Sequence, residues 1–132
     1  MIPTFHVFAQ GPKPVAPYSH VVELDGWLFV TGQLPTGLDD DKAALPDGIE
    51  AQTRKVMENL RIVLGQVGAA LKDAVQIRIF LTDFDRDYDR MNEIYREYFA
   101  ADKLPARTTV GVTRLARGGL IEIDVIAWRT PG

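Results

Sequence analysis

Apolar residues recur with a period of two over several short stretches of this chain and with a helical period over two longer ones. Val21 to Leu24 and Trp27 to Thr31 read as strands, joined by Asp25-Gly26, a pair that tolerates the positive φ of a two-residue hairpin turn. Val75, Ile77, Ile79 and Leu81 alternate as a central strand. Two more strands are predicted at Arg107 to Arg114 and Leu120 to Trp128. In the last, Ile121, Ile123, Val125 and Ala127 share the expected core face, while Glu122 and Asp124 lie opposite with Leu120, Ile126 and Trp128. A first helix carries the stripe Ile49, Val56, Met57, Leu60, Val63, Leu64 and Val67, and Asp47 with Glu50 fits a capping box at its start. A second spans about Asp87 to Ala100, with Tyr88, Met91, Ile94, Tyr95 and Tyr98 or Phe99 turned inward. Pro105 cannot continue that helix and steers Leu104 out of helical backbone. Gly11 to Pro17 and Pro35 to Pro46 read as loops, and Asp39-Asp40-Asp41 as a solvated loop tip.

The order of elements is therefore strand, strand, helix, strand, helix, strand, strand. Two helices cover one face of a single sheet. The other face, with Glu122, Ile126 and Trp128, is left open, and an apolar patch of that size marks an association surface. If Arg107 to Arg114 and Leu120 to Trp128 form a direct hairpin, Arg107 and Glu122 sit about five residues apart, or roughly 16 Å along the strands. Either the pairing is shifted or the two residues meet only across an interface.

Composition changes this picture mainly by exclusion. The 132 residues suit a single domain over 1–132 with one core. A net charge of −3 and a pI near 5.3 give no general attraction for nucleic acid phosphates. With no cysteine, thiolate metal sites, disulfides and cysteine nucleophiles are excluded. Neither a signal-peptide pattern nor a membrane-length apolar run is present, so a cytoplasmic protein without membrane partners is expected.

Two residues carry the candidate chemistry. Arg107 opens a strand directly after Leu104-Pro105-Ala106, with Thr109 on the same strand face and Gly111 beyond. Its guanidinium presents a flat fork of donors that matches a carboxylate bidentately. On its own it reads more readily as a solvated arginine leading into an ordinary strand. Glu122 sits among bulky apolar residues, where desolvation raises a carboxyl pKa towards the range useful for proton transfer. A carboxylate paired with a Lys or Arg explains it as well. His6 and His20 are isolated in sequence and are expected to be non-catalytic, and Gly118-Gly119 reads as a turn.

Taken together, the pieces resemble the RidA (YjgF-type) imine deaminases, also known as endoribonuclease L-PSP. They are Ala16-Pro17-Tyr18-Ser19-His20, Leu28 through Pro35 (including Thr31-Gly32-Gln33), Gln52-Thr53, Asn59-Leu60, Met91-Asn92-Glu93-Ile94-Tyr95 with Tyr98-Phe99, Pro105-Ala106-Arg107 and Ile121-Glu122-Ile123. They run almost the full length of the chain, in order and at matching spacing. The chain departs from the family's usual pattern at Ala16, His20, Thr31 and Thr108-Thr109, and is about one residue longer between Asp83 and Asn92.

The resemblance implies a chorismate-mutase-like α+β fold: a single-layer mixed β-sheet with two helices packed on one face, ββαβαββ, assembled as a homotrimer with sites between subunits. It implies a 2-iminobutanoate/2-iminopropanoate deaminase-type hydrolase with no cofactor and no metal. Arg107 would clamp the carboxylate of a 2-imino acid such as 2-iminopropionate. Glu122 would handle water and the proton bound for the departing nitrogen. Thr109, Thr31, Gly32, Tyr18, Ser19, Phe84 and Asn92 complete the expected substrate pocket. Tyr18 and Ser19 read more often as a strand lead-in with the ring packed, Asn92 equally as a cap on neighbouring backbone, and Phe84 also as an aromatic anchoring the fold. Two other classes stay open: a non-catalytic binder of 2-keto acids, and an endoribonuclease or translation inhibitor. The acidic pI and the lack of a basic stripe with interleaved aromatics oppose the last, so no nucleic acid partner is expected.

Overall fold

The computed structural model describes residues 2–9 and 11–131. Six strands form one mixed sheet: β1 (Thr4–His6), β2 (Val21–Leu24), β3 (Trp27–Gln33), β4 (Ala74–Leu81), β5 (Ala106–Gly111) and β6 (Ile121–Trp128). Two helices, α1 (Gly48–Gln66) and α2 (Phe84–Tyr95), pack on one face. The strand order is β1-β2-β3-β6-β4-β5, antiparallel throughout except for the β4–β5 pair. This is the expected α+β architecture with one added edge strand, β1, which pairs with β2 at Thr4↔Glu23.

The core forms where the two periodicities meet. Val56, Met57, Leu60, Val63 and Leu64 of α1 are fully buried against Leu28, Ile77, Ile79, Ile121 and Ile123 of the sheet. Met91 and Ile94 of α2 join them. Three polar residues of α1, Gln52, Thr53 and Asn59, are buried as well, and Gln52 and Asn59 each tie down irregular backbone. Asn59 Nδ2 donates to the carbonyls of Leu34 and Thr36, both at 3.0 Å. Gln52 donates to the Pro46 carbonyl at 2.9 Å and accepts from the Leu120 amide at 2.8 Å. Buried polar groups need such partners. Gln52 and Asn59 thus anchor the 34–46 loop and the start of β6.

Several expectations are corrected. The last two strands do not form a hairpin: β4 lies between them, and β5 is an edge strand parallel to β4. Parallel neighbours need a crossover, and α2 supplies it. Val75 is not a core residue but is 44% exposed, because the β4–β6 register shifts between Ala74 and Gln76 and displaces it. Asp47 occupies the N-cap position of α1 without a side-chain cap bond, and Glu50 turns instead to Arg90 and Arg54. The second helix starts earlier than Asp87, since Asp83 caps it by accepting from the Arg86 amide. Its α-helical part ends at Tyr95, followed by a tighter turn over Arg96–Tyr98.

The face away from the helices carries Trp27, Phe29 and Trp128, each 41–44% exposed. Arg78 and Asp124 form a bidentate ion pair on the same face, closest at 2.6 Å. No helix among the described residues is long and apolar enough to cross a membrane.

Candidate functional site

The predicted site residues fall into two groups on opposite faces of the sheet. Arg107 pairs with Ile77, and Ile77 with Val125, so Arg107 shares the helix face with those core residues. Glu122 pairs with Phe80 and lies between core-facing Ile121 and Ile123, so it points to the uncovered face. Between them lie two strand spacings across the sheet and three residues along it, roughly 10 Å in each direction. Within one chain, Arg107 and Glu122 cannot reach a common small substrate.

The first group centres on Arg107. Its guanidinium carbon lies 4.9 Å from the ring centre of Tyr95 and 5.9 Å from that of Tyr88. Its Nη2 donates to the Tyr88 hydroxyl at 3.5 Å. Phe84 stacks on Tyr88 with centroids 4.7 Å apart, so Phe84 backs the aromatic bed from the first turn of α2. Around the cation are three buried polar atoms with no partner among the described residues: Thr109 Oγ1, Asn92 Oδ1 and Tyr95 Oη. Burial pushes the Tyr95 hydroxyl up to about 12, against the opposing pull of Arg107, so it stays a donor at neutral pH. Tyr95, Asn92 and Arg107 also line a cleft of about 380 Å3 that continues past Arg96, Phe99, Ala101 and Leu104. Among the described residues no carboxylate neutralises this cation, and the two orphan hydroxyls beside it, of Thr109 and Tyr95, are donors from which a small carboxylate would accept.

The second group centres on Glu122. A β-bulge in β3, between Val30 and Gln33, brings Thr31 and Gly32 out of register beside it. A Cβ on Gly32 would stand 2.1 Å from Glu122 Oε2, so only glycine lets the carboxylate lie against this backbone. Burial is the main cause, and Asp124 the second, that raise the Glu122 carboxyl above its ordinary range, with Arg78 opposing. Thr31 Oγ1 donates to the Ser19 carbonyl, joining the Tyr18-Ser19 segment to the bulge. The Tyr18 hydroxyl accepts from the Val15 amide at 2.9 Å, and Tyr18 and Gly32 line one small crevice.

Both histidines make internal bonds. The Phe8 amide donates to His20 Nδ1, so Nε2 holds the proton and donates to the Pro12 carbonyl. This buried ring pins the 8–20 segment that carries Tyr18 and Ser19. His6 pairs with Glu23, which Arg129 also binds. Asp41 of the acidic run pairs with Arg117 and so ties the loop tip to the β5–β6 connection. Sequence reasoning placed Tyr88 and Tyr95 in the core and missed them as the bed of Arg107. Their i, i+7 spacing on the helix preceding the arginine was the available signal.

Comparison with known proteins fits this layout. The family model described as Endoribonuclease L-PSP matches residues 8–129. A RutC family protein of Pyrococcus abyssi is 40% identical over 121 residues, covering 91% of this chain and 92% of that protein. A solved structure of a Rid family protein from Yersinia pestis superimposes with a TM-score of 0.88 at 34% identity, over 97% of this chain and 100% of the other. Escherichia coli TdcF, solved with bound serine, superimposes with a TM-score of 0.85 at 27% identity over 96% of this chain and 99% of the other. The fold is that of the Rid proteins, two helices on a six-stranded mixed sheet. The chain belongs to the endoribonuclease L-PSP (YjgF/RutC/Rid) family.

Proposed function

We propose that the protein is a 2-imino acid deaminase whose active site joins the Arg107 group of one copy to the Glu122 group of another, in a homotrimer. The observation that carries this reading is the placement of the two groups on opposite sheet faces. The open apolar face around Trp27, Phe29 and Trp128 supplies the surface for association. The serine bound to TdcF supports a site in this family for small molecules with a carboxylate beside a nitrogen-bearing carbon.

The chemistry follows from the groups. Arg107 binds the carboxylate through two parallel hydrogen bonds, with Thr109 and Tyr95 as further donors. A water oxygen bonds to the imine carbon while the C=N pair of electrons goes to nitrogen, which takes a proton. A second proton passes from the added hydroxyl to nitrogen, the C–N bond breaks, ammonia leaves, and the carbon becomes the carbonyl of a 2-keto acid. Glu122 gives and retakes the proton, a task suited to a carboxyl held above its ordinary range. Positioning and proton transfer are all that the residues need to supply. A ribonuclease reading lacks a comparable base, because both histidines are committed to internal bonds.

Mixing two inactive variants tests the composite site. Arg107→Ala and Glu122→Gln proteins, co-refolded in equal amounts, give rings in which about one interface in four pairs an intact Arg107 with an intact Glu122. About a quarter of wild-type ammonia release from an imine made in situ is expected. No recovery in a confirmed mixed oligomer refutes the shared site. A keto acid that binds while no imine is hydrolysed selects a carrier or sensor.

A further inference from the structure

Resting on the deaminase reading, we propose that the cleft beside Arg107 is a subsite for a bulky apolar side chain, so that aromatic 2-imino acids are preferred over three-carbon ones. At about 380 Å3 the cleft lies within the range of organic-ligand pockets, far more than a three-carbon acid fills. Its walls are apolar. The Tyr95 and Phe99 rings pack at 4.8 Å with 39° between their planes and form one side. Leu104, 58% exposed, forms the rim, and the small Ala101 leaves the interior open. Leu104 precedes Pro105, which restricts it to extended backbone immediately before β5.

The polar end of the cleft fixes the orientation of a ligand. Tyr95 is only 5% exposed, yet its hydroxyl has no partner among the described residues, and it stands under the Arg107 guanidinium. A carboxylate bound there by Arg107 accepts from this hydroxyl. The substituent on the next carbon but one then extends along Phe99 and Leu104, where water makes no hydrogen bonds to the walls and is readily displaced. Arg96 also lines the cleft and offers an alternative, a second carboxylate, but the Tyr95 and Phe99 rings and Leu104 favour an uncharged body.

The test uses imines generated in situ by a broad-specificity amino acid oxidase from phenylalanine, alanine and glutamate. The wild type is expected to show a kcat/KM at least about tenfold higher for the phenylalanine-derived imine than for the alanine-derived one. Ala101→Phe, which fills the interior from an exposed loop position, is expected to reduce that ratio about tenfold. Equal use of both imines, preference for the glutamate-derived one, or an unchanged ratio in Ala101→Phe overturns the subsite. If no imine is hydrolysed, the deaminase reading fails separately. The subsite is then judged by calorimetry with phenylpyruvate and pyruvate: a phenylpyruvate preference lost in Ala101→Phe upholds it, and equal binding overturns it.

Discussion

Replacing Gly32 by alanine tests the proposed catalytic role of Glu122 without substituting Glu122 itself. Gly32 has no positive φ, so alanine meets no backbone strain there. The new methyl would start 2.1 Å from Glu122 Oε2, 2.9 Å from Cδ and 3.1 Å from Cγ. Ordinary contact begins near 3.4 Å, so the carboxylate must retreat by about 1.3 Å. The obstructing atoms are the free end of a flexible side chain, and the fold loses nothing else. Gly→Ala at an unstrained position stabilises by about 0.4–1 kcal/mol through the unfolded chain, which roughly offsets the cost of moving Glu122. A misplacement of this size costs on the order of 10²-fold in rate when the displaced group takes part in the chemistry. The variant is therefore expected to melt within a few degrees of the wild type, to bind 2-keto acids through Arg107, and to hydrolyse an in situ imine about a hundredfold more slowly. Hydrolysis within about threefold of wild type, with the displaced carboxylate verified by crystallography, would remove Glu122 from the mechanism.

Two further predictions follow from the same geometry. Arg107→Lys keeps the charge but loses both the fork and its stacking on Tyr88 and Tyr95, so KM in imine hydrolysis should rise about tenfold or more while kcat changes less; an unchanged KM refutes bidentate binding. Glu122→Gln should separate stability from activity. Because burial and Asp124 raise the folded carboxyl, the native state binds the proton more tightly than the unfolded chain does. The contribution of Glu122 to wild-type stability is then fully present below the unfolded value of about 4.3 and is lost as pH rises through the folded value. The melting temperature of Glu122→Gln relative to wild type should start near zero at low pH and climb to a positive plateau at neutral pH; a flat or falling difference contradicts the raised carboxyl.

What was legible in the sequence was local. The Asp25-Gly26 turn, the apolar stripe of α1 and the alternation of β6 depend on neighbours a few residues away, and each was read correctly. So was the face on which Glu122 lies, since a period of two settles it once Ile121 and Ile123 are core. What was not legible was pairing between distant segments. Nothing near Arg107 indicates that β5 runs parallel to β4 with β6 on the far side of it, yet that arrangement decides which face the guanidinium joins. Bulges were invisible for the same reason: Val75 fits the alternation of β4 and is displaced only by its register with β6. The aromatic bed of Arg107 lay between these cases. Tyr88 and Tyr95 were read as inward residues, and the arginine they carry became apparent only when α2 was packed over the edge of the sheet.

The opposite placement of Arg107 and Glu122 also explains how two costly features coexist in a chain of this size. A cation ringed by unpartnered hydroxyls and a carboxyl pushed up by burial each destabilise the fold when left alone. Brought together on one face, they would neutralise each other, and the arginine would hold Glu122 ionised rather than holding a substrate. Separating them by the thickness of the sheet prevents that internal ion pair. Asp124 reinforces the separation, because it engages Arg78 and leaves Glu122 without a bidentate partner of its own. The surface that then remains open is the sheet face on which Glu122 sits, which also carries the exposed Phe29 and Trp128. On the proposed reading, covering that surface with another copy of the chain would bury apolar area and bring a foreign Arg107 towards Glu122 with the substrate carboxylate between them. Association and assembly of the site would then be driven by the same exposed residues.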